Sequence, residues 1–212
     1  MMVLSSSDTA RIRAAAHQFP EFVGWLITPR VFYKRRSMRE IDALWAADND
    51  CYKPENFSPD GFKDMLLANL DVRERCLFVS APDVVGDAGA TLERFFVWER
   101  VIRVLGFPVA LVAQDGLEDE WIPWDRLDAL FIGGSTKWKL SQAAVGLMRE
   151  ARSRGKWVHV GRVNSQKRFR HCWWAGADSV DGTTFGICPD DSLAWALPLL
   201  RSLDVQARLG LV

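Results

Sequence analysis

Short apolar segments alternate with longer segments of helical pattern along nearly the whole chain, and this alternation limits the fold more than any other feature of the sequence. The apolar segments are continuous runs such as ALFI and VALVA, without a polar residue at every second position. Such runs are typical of parallel strands that are covered on both faces. The strand candidates are residues 22–27, 31–34, 43–48, 76–82, 108–114, 128–133, 157–161 and 177–181.

Helical patterns separate most of these strand candidates. The predicted helices are residues 58–69, 88–105, 140–154, 165–175 and 190–204. Ser58 and Pro59 suit the cap and first turn of the first helix. Eight strands alternating with helices predict a small (β/α)8 TIM barrel, a single domain over residues 1–212 in which residues 1–20 form an N-terminal helical extension. A doubly wound open sheet is the alternative.

The charge balance and the cysteines exclude several classes of protein. With 27 Lys and Arg against 27 Asp and Glu, the chain is not a basic protein that coats nucleic acid, so any polyanion site must be local. Cys51, Cys76, Cys172 and Cys188 are widely separated and predict neither a disulfide framework nor a zinc module. The amino-terminal segment lacks the apolar core of a signal peptide, and no segment is long and apolar enough to span a bilayer. We therefore expect a cytoplasmic protein that has no contact with a membrane, no bound metal and no cofactor.

Polar or glycine residues stand at the ends of five predicted strands. They are Asp48, Asp83, Gln114, the pair Gly133–Gly134, and Asp178 with Asp181. Any single one of them is more typical of a helix cap or a turn. In a TIM barrel, however, the C-terminal ends of the strands meet around one site. The five together therefore predict a ring of active-site residues.

A basic segment, GRVNSQKRFRH at 161–171, lies between a predicted strand and the helix that follows it. The backbone amides of a helix N-terminus and several polar side chains there suit a phosphate group and a nucleic-acid strand. These side chains are Arg162, Asn164, Ser165, Lys167, Arg168 and Arg170. A solvated helix face is the alternative. We interpret His159, on the preceding strand, as a core histidine rather than a catalyst.

The strand-end residues, in their order, resemble the tRNA-guanine transglycosylase superfamily, the barrel enzymes that exchange guanine for a 7-deazaguanine base, over about residues 43–183. In that family an Asp-Ser-Gly-Gly-aromatic motif follows an early strand, and Asp48 and Tyr52 match its ends with Asn-Asp-Cys between them. The later family positions are a base-reading Asp, a Gln, a Gly-Gly turn, and a nucleophile that is the second Asp of Asp-x-x-Asp. They are matched in order by Asp83, Gln114, Gly133–Gly134 and Asp181.

The resemblance implies the catalytic roles. Exchange of a base at C1′ with retention calls for two displacements, in which one carboxylate is the nucleophile and another group carries a proton to and from the base. Asp181 is the expected nucleophile and Asp48 the expected general acid and base.

The resemblance also implies how the base is read. Asp83 would accept hydrogen bonds from N1–H and the 2-amino group of guanine, and Gln114 would donate to O6. Gly133 and Gly134 would allow backbone amides close to the base. Tyr52 would stack on the face of the base, and plain core packing is the alternative for this residue.

The expected substrate follows from what the sequence lacks. Family members that act on tRNA carry a C-terminal zinc module with a C-x-C-x-x-C…His pattern and extra tRNA-binding insertions, and neither is found in this sequence. The chain is closer to the compact relatives of phages and bacteria that place 7-deazaguanine bases into DNA. The expected partners are therefore DNA and a base such as 7-cyano-7-deazaguanine. Three alternatives stay open: a zinc-free transglycosylase acting on tRNA or on a free nucleoside, a non-catalytic subunit that binds a base or nucleic acid, and, for the assembly, a homodimer.

Overall fold

Eight parallel strands form a closed barrel in the computed structural model, which describes residues 1–30 and 36–208. The strands are β1 (Met2–Ser5), β2 (Val23–Ile27), β3 (Trp45–Ala47), β4 (Cys76–Ser80), β5 (Val109–Ala113), β6 (Ala129–Ile132), β7 (Trp157–Val160) and β8 (Ser179–Val180). Each strand pairs with the next along the chain, and β8 pairs with β1. The predicted single-domain TIM barrel is confirmed, and the closure between β8 and β1 excludes the open doubly wound sheet.

Helices cover the outside of the barrel. They are α1 (Ala10–Gln18), α2 (Ser37–Glu40), α3 (Pro59–Leu67), α4 (Ala88–Val104), α5 (Thr136–Lys139), α6 (Gln142–Ser153), α7 (Gln166–Ala175), α8 (Thr183–Ile187) and α9 (Pro189–Arg208). All five predicted helices are present, as α3, α4, α6, α7 and α9. The predicted cap of α3 is present, because the Ser58 side chain accepts from the Gly61 amide. The side chain of Asp87 caps α4 by accepting from the Ala90 amide.

The amino terminus departs from the prediction. The expected helical extension over residues 1–20 is wrong in its first part, because Met2–Ser5 is a strand of the barrel, and helix occupies only Ala10–Gln18. All four residues of β1 are buried between β2 and β8. A run this short gives no periodicity to separate strand from helix. The predicted strand at 31–34 lies outside the described residues, and β1 is the barrel strand that the prediction did not include.

Two apolar layers hold the barrel together. Side chains alternate along each strand, so that one set points into the barrel and the other packs under the helices. The inward set includes Leu4, Leu26, Phe78, Val112 and Phe131. The outward set, which includes Trp25 and Trp45, joins the buried faces of the helices in one core. The inside of the barrel is therefore filled, and along the barrel axis a ligand can be held only beyond the strand ends.

Some general properties of the described part of the chain bear on its chemistry. No helix in residues 1–30 and 36–208 has both the length and the apolar character needed to cross a membrane. Within those same residues no group of three or more His, Cys, Asp or Glu side chains is placed to hold a metal ion. Cys51, Cys76 and Cys172 are free and buried, while Cys188 is free and exposed.

Candidate functional site

A cavity of about 270 Å³ opens at the carboxyl ends of the strands. This volume is slightly below the roughly 300–1,000 Å³ of typical small-molecule pockets, so the space suits a ligand of about the size of a base. Eight of the predicted site residues line it: Asp48, Tyr52, Asp83, Gln114, Gly133, Gly134, Arg162 and Asp181. The lining also includes Asn49, Val85, Val112, Phe131, Gly161 and Thr183. The ring of strand-end residues thus surrounds one cavity.

Asp48, directly after β3, has an environment that favours a proton on its carboxyl group. Burial raises the pKa of Asp48 to about 7, and the nearby negative charges of Asp181 and Asp83 add to the rise. A hydrogen bond from the Asp50 amide to Asp48 Oδ1, 2.8 Å long, opposes it. A carboxyl group with a pKa near 7 can both give and take a proton at neutral pH, which is what general acid and base catalysis needs.

Asp83 is held by two buried amide side chains. Its Oδ1 accepts from Asn49 Nδ2 at 2.9 Å, and its Oδ2 accepts from Gln114 Nε2 at 2.6 Å. Burial raises the pKa of Asp83, while the hydrogen bond from Asn49 acts in the opposite direction. Because an ionised carboxylate has about four acceptor positions, each oxygen keeps capacity for a ligand after these bonds.

The two amides are themselves fixed. Asn49 Nδ2 also donates to Ala81 O at 2.8 Å, and Asn49 Oδ1 accepts from the Cys51 amide at 2.8 Å. Gln114 Oε1 accepts from the Gly86 amide at 3.0 Å, so the NH2 group of Gln114 faces Asp83 and one of its hydrogens remains for a ligand. No role was predicted for Asn49, which stands where the tRNA-guanine transglycosylase superfamily has Ser. Its side chain supports Asp83 instead of leaving room for a ligand.

The Gly133–Gly134 turn is glycine because of close packing. A Cβ on Gly133 would lie 2.8 Å from Val112 Cγ1, and Gly134 has a φ of +44°, with Trp138 pressed against it. The Gly133 amide donates to Ala113 O at 3.0 Å within the sheet. It is therefore not free to donate to a base, although the sequence predicted backbone amides close to the base at this turn. The carbonyl groups of both glycines accept from the Arg162 guanidinium.

Asp181 follows β8 and both of its carboxylate oxygens have a partner. Oδ1 accepts from the Arg162 amide at 3.1 Å, and Oδ2 lies 3.0 Å from His159 Nε2. Arg162 has a φ of +60°, a left-handed conformation that is unusual outside glycine and that places its amide at the carboxylate. Asp178 lies at the other end of β8, where it accepts from the Val158 amide at 2.8 Å and pairs with Arg152. The two Asp residues of the Asp-x-x-Asp motif therefore face opposite ends of the barrel.

Arg162 and Tyr52 form a stacked pair at the mouth of the cavity. The Arg162 guanidinium lies 4.7 Å from the centre of the Tyr52 ring. Tyr52 is 62% exposed, so core packing does not account for it. The pair leaves an aromatic face at the entrance, where a flat ligand can stack.

The rest of the basic segment does not line this cavity. Asn164 Oδ1 accepts from the Thr184 amide at 3.3 Å and so caps α8. Ser165 caps α7 by accepting from the Arg168 amide. A separate cavity of about 390 Å³ at the start of α7 is lined by Leu140, Ser165, Lys167, Arg168 and His171. Arg170 is exposed on α7 and borders neither cavity.

Two further buried residues near Asp181 were not identified as functional from the sequence. His159, on β7, contacts Asp181 directly. Because side chains alternate along a strand, the position of His159 within β7 could have predicted that its side chain points into the barrel. Lys139, at the end of α5, is only 2% exposed, and its Nζ donates to Gly161 O at 2.6 Å. Burial lowers the pKa of Lys139 to about 8, and its charge acts on Asp181. No sequence pattern marks such a lysine, because a charged residue is expected at the surface.

Comparison with protein-family models found no match for this chain, and comparison with curated proteins found no significant match. The geometry and chemistry of the cavity therefore carry the functional argument.

Proposed function

We propose that the protein is a transglycosylase that exchanges guanine in DNA for a 7-deazaguanine base through a covalent intermediate on Asp181. One observation carries the proposal: a carboxylate whose two oxygens contact the Arg162 amide and His159, a second carboxyl group with a pKa of about 7, and a buried Asp–Gln pair line the same base-sized cavity. These are the three parts that base exchange with retention requires. The resemblance in residue order to the tRNA-guanine transglycosylase superfamily supports the same conclusion.

In the first displacement a carboxylate oxygen of Asp181 attacks C1′ of the deoxyguanosine. A C1′–O bond forms, the C1′–N9 bond breaks, and its electron pair stays with the departing guanine. Asp48 gives its proton to that base and becomes a carboxylate. A pKa near 7 makes the protonated form available at neutral pH.

In the second displacement the incoming 7-deazaguanine attacks C1′ from the face that guanine left. Its ring N–H loses the proton to Asp48, a new C1′–N bond forms, and the bond to Asp181 breaks. Asp48 is again protonated and Asp181 is again a carboxylate, so atoms and charges balance over the cycle. The two inversions at C1′ give overall retention.

Asp83 and Gln114 are the groups that would read the edge of the base. Asp83 accepts from N1–H and the 2-amino group, and the remaining Gln114 N–H donates to O6. Asn49 and the Gly86 amide hold this pair in place before a ligand arrives. Adenine has a donor at C6, an acceptor at N1 and no polar group at C2, so it would set a donor against the Gln114 N–H and a lone pair against the Asp83 carboxylate, which excludes it.

DNA is the substrate that we propose, in the cytoplasm, with the target nucleotide flipped out of the helix or presented on a single strand. The exposed basic side chains of α7 lie on the same side of the barrel as the cavity, because α7 begins after the carboxyl end of β7. Arg162, Ser165, Lys167, Arg168 and Arg170 are the residues proposed to contact phosphate groups. Asn164 would act indirectly, because its side chain caps α8.

The direct test is base exchange with defined substrates. The protein is incubated with labelled guanine or 7-cyano-7-deazaguanine and with duplex DNA, single-stranded DNA or tRNA, and denaturing gels are used to detect a covalent adduct. We expect exchange and an adduct with DNA, and neither with Asp181→Asn. Asp178→Asn, at the other end of the same strand, is the matched control and should keep both.

Each other outcome overturns a defined part of the proposal. An adduct that persists in Asp181→Asn removes Asp181 as the nucleophile. Exchange with tRNA or a free nucleoside and not with DNA changes the substrate but keeps the chemistry. Binding of the base without exchange in any mixture would make the protein a non-catalytic binding subunit.

A further inference from the structure

A chain of three hydrogen bonds runs between β7 and β8 and ends on Asp181. Trp157 Nε1 donates to Ser179 Oγ at 2.8 Å, Ser179 Oγ lies 2.8 Å from His159 Nδ1, and His159 Nε2 lies 3.0 Å from Asp181 Oδ2. His159 and Ser179 are fully buried. His159 on β7 and Ser179 on β8 are direct partners in the sheet, so the register of the two strands brings their side chains together.

The chain fixes where the imidazole proton lies. The Trp157 indole can only donate, so Ser179 Oγ accepts there and is left with its own hydrogen to donate to His159 Nδ1. An ionised Asp181 can only accept, so His159 Nε2 must carry a hydrogen. One neutral tautomer of His159, with the proton on Nε2, satisfies every partner.

The packing around the imidazole fixes its orientation. The His159 ring lies 4.5 Å from the ring centre of Phe131, edge to face, and 5.1 Å from that of Phe78. These two aromatic side chains belong to the filled interior of the barrel. His159 can therefore neither rotate away from Asp181 nor exchange its proton with bulk water easily.

We propose that His159 is a positioning residue for Asp181. Its Nε2–H, together with the Arg162 amide on the other oxygen, holds the carboxylate plane of Asp181 at one angle to C1′. Ser179 and Trp157 act one step further away by selecting the tautomer. The catalytic role of His159 rests on the proposed function. The hydrogen bond between His159 and Asp181 can be tested without an activity assay.

The same three residue types make up the triad of serine hydrolases, but the geometry here excludes that chemistry. In a hydrolase triad the serine is exposed to substrate and gives its proton to the histidine as it attacks. Ser179 is fully buried and its oxygen already accepts from Trp157. Asp181 is the member that lines the cavity, so the chain serves the carboxylate.

The first experiment locates the proton. Nitrogen NMR of protein labelled at its three histidines distinguishes a ring nitrogen with a proton from one without. We expect a proton on His159 Nε2 in the wild-type protein, and mixed tautomers in Ser179→Ala. A wild-type His159 with its only proton on Nδ1 would overturn the inference.

The second experiment separates positioning from stability. His159→Phe fills the same space without a donor and should lower kcat by about 10²-fold with little change in KM, as expected when a reacting group is misplaced by about 1 Å. His159→Gln, which can still donate to Asp181, should recover part of that loss. The exposed His17→Gln is the control and should match the wild type, and thermal unfolding of all variants identifies any that fails to fold.

The outcomes distinguish this inference from the proposed function. If the wild type exchanges bases and His159→Phe does so at the same kcat, the positioning role is wrong and the function stands. If the wild type exchanges no base, the proposed function fails, and the NMR result alone decides whether His159 donates to Asp181.

Discussion

Replacing Asp48 with Asn should stabilise the protein more at high pH than at low pH. In the folded protein Asp48 keeps its proton up to about pH 7, whereas the ordinary pKa of an unburied Asp is 3.8. Between these values the folded state binds more protons than the unfolded state, so stability falls as the pH rises. The loss is complete above pH 7 and absent below about pH 4. Asn cannot ionise and removes the effect.

The size of the effect follows from the difference in pKa. A difference of about 3 units corresponds to about 4 kcal/mol, at about 1.36 kcal/mol for each unit. The Asp48 side chain is partly exposed, so solvent screens some of its charge, and we expect about half of that value, ~2 kcal/mol. This is a large part of the roughly 5–15 kcal/mol that stabilises a typical domain.

The assay is urea unfolding at pH 4 and pH 8, which bracket the pH range over which ionisation of Asp48 lowers the stability of the wild-type protein. The free energy of unfolding of Asp48→Asn minus that of the wild type should increase by ~2 kcal/mol between the two conditions. Asp60→Asn removes one negative charge from a side chain that is 93% exposed on α3 and serves as the control. An equal difference at both pH values would refute the raised pKa. Asp48 would then be ionised at neutral pH and unable to protonate a leaving base.

Three other substitutions test the packing and the proposed base-reading pair, Asp83 and Gln114. Gly24→Ala places a Cβ directly against the Leu44 carbonyl oxygen and should lower the free energy of unfolding by about 1–3 kcal/mol. Gly146→Ala, on the exposed face of α6 where a Cβ meets nothing, should raise it by about 0.5–1 kcal/mol. Thermal unfolding in which the two variants shifted alike would contradict this. Gln114→Leu leaves Asp83 Oδ2 and the Gly86 amide without their partner, so the free energy of unfolding should fall by about 1–3 kcal/mol. KM for the base should rise by about tenfold or more. An unchanged KM would show that Gln114 does not read the base.

The fold could be predicted from the sequence because its signals are local. Continuous apolar runs mark strands, and a cap such as Ser58 marks the start of a helix, without knowledge of the rest of the chain. The strand β1 was missed because Met2–Ser5 becomes a strand only through its pairing with β2 and β8. A four-residue segment with partners that far apart in sequence carries no signal of its own.

Some residues of the candidate site could likewise be predicted from the sequence and others could not. The residues that follow strands gather around the cavity because barrel geometry brings all strand ends together, so Asp48, Asp83 and Asp181 could be predicted as neighbours. The supporting residues could not. Asn49 matters through a bond to Asp83 on another strand, and His159 through its register with Ser179. Such contacts depend on the alignment of neighbouring strands, which one-residue shifts would abolish.

The pairing of β1 with β8 makes the first residues of the chain part of the support of the candidate nucleophile. The strand that leads to Asp181 is only two residues long, Ser179–Val180, and one of its two neighbours is Met2–Val3. Proteins open locally as well as globally, and in most folds the opening of one strand has no effect on a distant site. Here β1 can pair with β8 only after the chain has been synthesised as far as Val180, and any loosening at residue 2 or 3 passes sideways, through a single pair of strands, to the segment that holds Asp181.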